Sequence, residues 1–225
     1  MNSDKNAPRL LGAAFLIVFV AIFLSDSLFT SVVGSGSISD ILVNISDNLT
    51  LMRISILFEL VTSIGIVVLA VLLYVVLHKQ NKIIALVALG WWLAEAITLA
   101  ISNIGAFALI PLSLEFVEAG APAASYFQTL GALFHGVDTW AYEIHMWFYS
   151  LGGILWFSLF YKSKYIPRIL SLWGLLAVSL ALIGNLLVIF GLEPSIIMVI
   201  PNGLFELTIG LWLMLKGIRL YKIES

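Results

Sequence analysis

Long apolar runs alternate with short polar stretches along the chain, and the runs have the length of membrane-crossing helices. A helix needs roughly 20 apolar residues to cross ~30 Å of hydrocarbon. The pattern predicts six such spans, at about 8–33, 51–78, 83–110, 137–161, 169–190 and 196–215. Pro8 suits a first helical turn, the polar stretch 34–50 reads as a loop, and Pro111 reads as the stop of the third span. A single helix over 123–161 would be about 58 Å long at 1.5 Å per residue, too long for one crossing. That stretch is therefore divided into a short interfacial helix near 123–135 and a fourth span. The expected fold is an all-α, polytopic membrane protein, with one transmembrane domain over residues 1–225.

Composition strengthens this reading. Of 225 residues, 61% are hydrophobic and only 11% charged, against about 25% charged in an ordinary soluble domain. The absence of cysteine excludes disulfides, thiolate metal sites and cysteine nucleophiles. A net charge of −2, with no basic patch, argues against a nucleic-acid partner. The first run is followed by Ser25-Asp26-Ser27 rather than a small-residue cleavage signal, so it reads as a retained helix.

Loop charges predict the orientation. With the N-terminus inside, Lys5, Arg9, Lys79, Lys82, Lys162, Lys164, Arg168, Lys216, Arg219 and Lys222 are cytoplasmic, ten of the eleven basic residues, and only Arg53 lies outside. The expectation is a multi-pass cell-membrane protein with both termini cytoplasmic. Its surroundings are the lipid bilayer, and assembly of several copies is compatible with such a chain.

Candidate chemistry lies in the polar residues of the apolar runs. Glu59, Glu95 and Glu206 interrupt three predicted spans, and intramembrane carboxylates usually face a bundle interior or a cavity. At 1.5 Å per residue they lie roughly 12–15 Å from the outer ends of their helices, within reach of one layer. Asp138, Tyr142, His145 and Tyr149, spaced by four, three and four, share one helical face. Asn202 and Glu206 do likewise. Any one of these can simply be a hydrogen-bonded packing residue; together they outline a polar interior toward the outer side. Glu59, Glu95, Glu206, His145, Tyr142, Tyr149 and Asn202 are the candidates for binding a ligand or ion. Glu59, Glu95, His145, Asp138 and Glu206 are the candidates for a divalent metal. Arg53 is expected at the outer interface, snorkelling or as an ion-pair partner of Asp26 or Glu59. No cofactor is evident: mid-helix lysine, Walker and Rossmann patterns and a bis-histidine pair at one depth are all lacking.

The second half carries Phe148-Tyr149-Ser150-Leu151-Gly152-Gly153, then Phe160-Tyr161-Lys162-Ser163-Lys164-Tyr165-Ile166-Pro167-Arg168, then Leu172-Trp173-Gly174. Pro201-Asn202-Gly203-Leu204-Phe205-Glu206-Leu207 and Leu211-Trp212-Leu213-Met214-Leu215-Lys216-Gly217 follow. In these motifs, in length and in helix count the chain resembles the prokaryotic membrane family catalogued as domain of unknown function 4386. The resemblance matches Glu59 and Glu95 to the glutamates of the family's second and third helices. Where relatives often place an arginine one turn before the second of these, this chain has Trp91 and Trp92. The family implies an architecture and a prokaryotic source but no activity. Three functions stay open: a small-ligand, cation or proton site serving binding or transport; a membrane-embedded metal-dependent enzyme; and a structural or accessory subunit.

Overall fold

The computed structural model describes residues 3–121, 125–195, 198 and 200–218, with side chains from residue 7 in the first segment and from 126 in the second. Its elements are all helical: α1 (Ser3–Val33), α2 (Ile38–Asp47), α3 (Leu49–Leu77), α4 (Lys82–Glu118), α5 (Ser125–Ser163), α6 (Arg168–Ile189) and α7 (Ile200–Lys216). Four stretches are long and apolar enough to cross a membrane by length and composition: Ala7–Val33, Leu49–Leu77, Lys82–Glu118 and Arg168–Ile189. This is consistent with a polytopic membrane protein. Large apolar side chains such as Ile64, Ile97 and Ile169 point outward, 61–79% exposed, as lipid-facing positions do.

Four expectations change. The polar stretch after α1 is not a loop throughout, because it folds into α2. Ser37 caps that helix: its Oγ accepts from the Asp40 N–H at 3.3 Å, and Asp40 Oδ2 accepts from the Ser37 N–H at 2.8 Å. These reciprocal bonds satisfy two donors that a helix start otherwise leaves open; the Ser37 hydroxyl, donating to Asp40 Oδ2 at 2.7 Å, and the Ser37 N–H hold the Asp40 carboxyl below the usual range. Ile41, Leu42 and Ile45 then turn one apolar face into the core.

Pro111 does not stop α4, which continues to Glu118. An interior proline costs a backbone hydrogen bond and about 3 kcal/mol. Against this, Leu109, Ile110, Leu112 and Phe116 on both sides of it are buried. The expected interfacial helix and fourth span form one helix, α5. Its early turns are held by protein rather than by an interface: Phe127 is buried edge-on to Phe116 with centroids 5.4 Å apart, and Gly131 lies against Ile38. Gly136 is an interruption of only about 1 kcal/mol relative to alanine. Finally, α1 begins five residues before Pro8. The first residues expected in the last span, Ile196 and Ile197, lie outside the described residues, as do Ala123, Arg219 and Lys222.

The chain forms two compact units. One comprises residues 20–63 and 97–144; the other comprises 1–19, 64–96 and 145–225. The first has a core of Val32 and Val33 from α1, Ile41, Leu42 and Ile45 from α2, Met52 and Ile56 from α3, and Leu109 and Phe116 from α4. In the second, Trp92 is edge-on to Trp156 at 6.2 Å and Phe157 to Phe205 at 4.7 Å. Small residues set the helix spacing there. A Cβ on Gly12 of α1 would lie 2.5 Å from Met214 N and 2.7 Å from Gly210 O of α7, so the two backbones are nearly touching.

The cap of α2 yields a direct check. Ser37→Ala removes both bonds of the Ser37 hydroxyl to Asp40 and is expected to cost about 1 kcal/mol, read as a lower thermal midpoint of the purified protein. Ser37→Thr keeps the hydroxyl and is expected to retain most of the stability; equal loss in both variants would count against the capping role.

Candidate functional site

In the first unit, α1, α3 and α5 enclose a cavity of about 290 Å³ lined by Ser25, Asp26, Phe29, Thr30, Glu59, Asp138, Thr139 and Tyr142. Three of these eight side chains are carboxylic acids and none is basic. Each element places its acid for a local reason. On α3, Glu59 is buried, and the Ser102 hydroxyl of α4 donates to its Oε1. Ser102 Oγ also lies 2.6 Å from the Leu99 carbonyl of its own helix, so its single hydrogen is shared between that carbonyl and Glu59.

On α1, Asp26 accepts a hydrogen bond from Tyr142 of α5. The neighbouring Ser25 donates to the Ser55 carbonyl of α3 at 3.0 Å, and Ser55 in turn donates to Met52 O at 2.8 Å. These bonds lock α1 against α3 beside the cavity. On α5, Asp138 sits where α4 comes closest. A Cβ on Gly105 would lie 2.4 Å from Phe134 O and 2.9 Å from Asp138 N, so only glycine permits that approach. His135 stacks on Phe29 with centroids 6.5 Å apart.

The second unit gathers a different polar set. The Tyr149 hydroxyl lies 2.7 Å from Glu206 Oε1 and 2.6 Å from Asn202 Oδ1, and Asn202 Nδ2 lies 3.4 Å from the same glutamate oxygen. Trp92 supports Tyr149 by stacking on its ring and by donating from Nε1 to its carbonyl at 3.1 Å. Room for Trp92 comes from Gly152, where a Cβ would meet the indole at 2.3 Å. Glu95, only 4% exposed, has Glu206 as its electrostatic neighbour, and its Oε2 has no hydrogen-bond partner among the described residues.

The candidates named from sequence thus fall into two groups. Glu59, Asp138, Tyr142 and Asp26 gather in one unit, and Glu95, His145, Tyr149, Asn202 and Glu206 belong to the other. His145 is buried, whereas Arg53 is exposed. Among the described residues, no group of three or more His, Asp or Glu side chains is arranged to hold a metal ion. Sequence reasoning passed over Ser25, Phe29, Thr30 and Thr139 as cavity lining and Ser102 as a partner of Glu59. On α1 the signal was present but short: Ser25, Asp26 and Thr30 share one helical face with Phe29. Ser102 does share a helical face with Glu95 in the sequence, but its pairing with Glu59 depends on how α3 and α4 pack.

The Ser102–Glu59 bond is open to test. Ser102→Ala removes the donor from a buried acid and is expected to lower stability by about 1–3 kcal/mol. Ser102→Thr keeps the hydroxyl and is expected to lose much less. Thermal melts of the two variants that coincide would refute this account.

Residues 10–217 match the model of a family described as Domain of unknown function (DUF4386), and the chain belongs to that family. No curated protein and no solved structure matches it.

Proposed function

We propose that this member of the family binds a small cationic ligand in the cavity of Asp26, Glu59 and Asp138. The observation that carries this reading is a space lined by three acids without a basic residue. Carboxylic acids on apolar helices are costly to retain, and they commonly mark cation or proton pathways. Size favours an organic cation over a bare metal ion: about 290 Å³ approaches the lower end of small-molecule pockets. The rings of Phe29 and Tyr142 add surfaces to which an ammonium group is attracted. A divalent metal held by Glu59 and Asp138 is the competing occupant, and would be the first requirement of an enzymatic reading.

The reading includes the topology inferred from loop charge. We propose that α5 and α7 also cross the bilayer, giving six spans with both termini cytoplasmic. The cavity then opens toward the outer side, because the first unit includes the α1–α2 connection and the start of α5. The chain lacks cysteine, which makes single-cysteine labelling clean. Ser35→Cys is expected to react with a membrane-impermeant maleimide in intact cells, and Lys79→Cys only after permeabilisation. The reverse pattern would invert the topology.

Binding is tested by calorimetric titration of the purified protein with tetramethylammonium, putrescine and a series of divalent metal chlorides. Saturable binding of an amine is expected, weakened about tenfold in Glu59→Gln and in Asp138→Asn, a loss of about 1.4 kcal/mol each. Stoichiometric metal in place of amine would transfer the site to the metal reading. Binding of neither, with variants less stable than the wild type, would leave a structural role.

A further inference from the structure

The second unit contains polar machinery that the cation cavity does not use, and its hydrogens do not balance. The Tyr149 hydroxyl has one hydrogen, yet it faces two acceptors at hydrogen-bond distance, Asn202 Oδ1 at 2.6 Å and Glu206 Oε1 at 2.7 Å. One hydroxyl hydrogen cannot serve both contacts at full strength. Turning the Asn202 amide over supplies a hydrogen to Tyr149. It also brings Asn202 Oδ1 to 3.4 Å from Glu206 Oε1, acceptor facing acceptor, an arrangement that is costly away from water. A proton on Glu206 completes the count in either orientation of the amide. With the amide as placed, Glu206 donates to the Tyr149 oxygen and Tyr149 donates to Asn202 Oδ1.

A second observation is independent of that count. Glu95, on a different helix, is 4% exposed, its Oε2 has no hydrogen-bond partner among the described residues, and both Glu206 and Tyr149 are its electrostatic neighbours. A buried carboxyl oxygen without a donor is a site lacking a hydrogen. The titratable groups at this location are therefore Glu95 from α4, Tyr149 from α5 and Glu206 from α7, with buried His145 one turn before Tyr149 on the same face of α5. Two buried carboxyls acting on each other do not both ionise readily.

We propose that this unit holds a proton-binding site, separate from the cation cavity, in which Glu206 carries an exchangeable proton donated to Tyr149 and Glu95 is the second carboxyl. Trp92 and Gly152 are its positioning residues, since the indole holds the Tyr149 backbone and ring in register. The ligand is a proton, and the site gives the protein a titratable element distinct from its cation-binding acids.

Infrared spectroscopy of the full-length purified protein at neutral pH tests this directly. The wild-type minus Glu206→Gln difference spectrum is expected to contain the carbonyl band of a protonated carboxylic acid, moved to lower frequency in D₂O. Tyr149→Phe and Glu95→Gln are expected to shift that band, whereas Glu59→Gln, in the other unit, leaves it in place. Carboxylate bands in the difference spectrum, with no protonated-acid band, would overturn the proposal. Should Glu206→Gln not fold, Tyr149→Phe reads the same hydrogen bond without altering the carboxyl: a protonated-acid region identical to wild type overturns the proposal, and a shifted band supports it. Because the readout requires no added cation, failure of the cation titration leaves it unaffected.

Discussion

A carboxyl group on an apolar helix cannot satisfy itself, and much of the polar architecture of this protein follows from that constraint. Short hydroxyls meet their needs locally. Ser55, Thr62, Ser63, Ser113, Ser179 and Thr208 each donate to a carbonyl three or four residues back on their own helix, so they ask nothing of their neighbours. A glutamate has only acceptors when ionised and reaches too far to be served by its own backbone. Its shortest contacts come from another helix, Ser102 of α4 for Glu59 of α3 and Tyr149 of α5 for Glu206 of α7, with Asn202 of α7 itself a longer partner of Glu206. The acids therefore specify which helices meet and on which faces.

Close approach makes those meetings possible, and glycine provides it at the points that matter. Gly105 lets α4 come within reach of the α5 backbone beside Asp138, and Gly152 leaves room for the Trp92 indole that supports Tyr149. In an apolar solvent, where burial of side chains offers little net gain, such backbone proximity and interhelical hydrogen bonds are the chief sources of specificity. The two polar sites are thus built alike. Each has a glycine that admits a neighbour, an anchor beside it, and acids gathered from different helices.

The sites differ in what they leave open. Around Glu59 the acids border a cavity of about 290 Å³, whereas around Glu206 the groups close on one another at hydrogen-bond distance. An open acidic cavity suits a cation with its own size and shape; a closed network short of a hydrogen suits a proton. Residues of α1, α3, α4 and α5 contribute to both units.

Much of this was legible in the residues alone. The helical class and four apolar spans follow from composition and from the length of the apolar runs, which are properties of single segments, and the family resemblance rests on the motifs of the second half. Even α2 was announced locally, by Ser37 and Asp40 spaced as a cap ahead of Ile38, Ile41, Leu42 and Ile45, although the density of polar residues around it suggested a loop. The path of α4 through Pro111 and the continuity of α5 across Gly136 were not legible, because local propensity opposes both. Packing of Phe116, Phe127 and Gly131 outweighs it. Nor did spacing along α5 reveal that Asp138 and Tyr142 serve the cavity while Tyr149 serves Glu206. One helical stripe reads as one site in sequence. Only the tertiary structure, by deciding which helices lie opposite each turn, divided it into two.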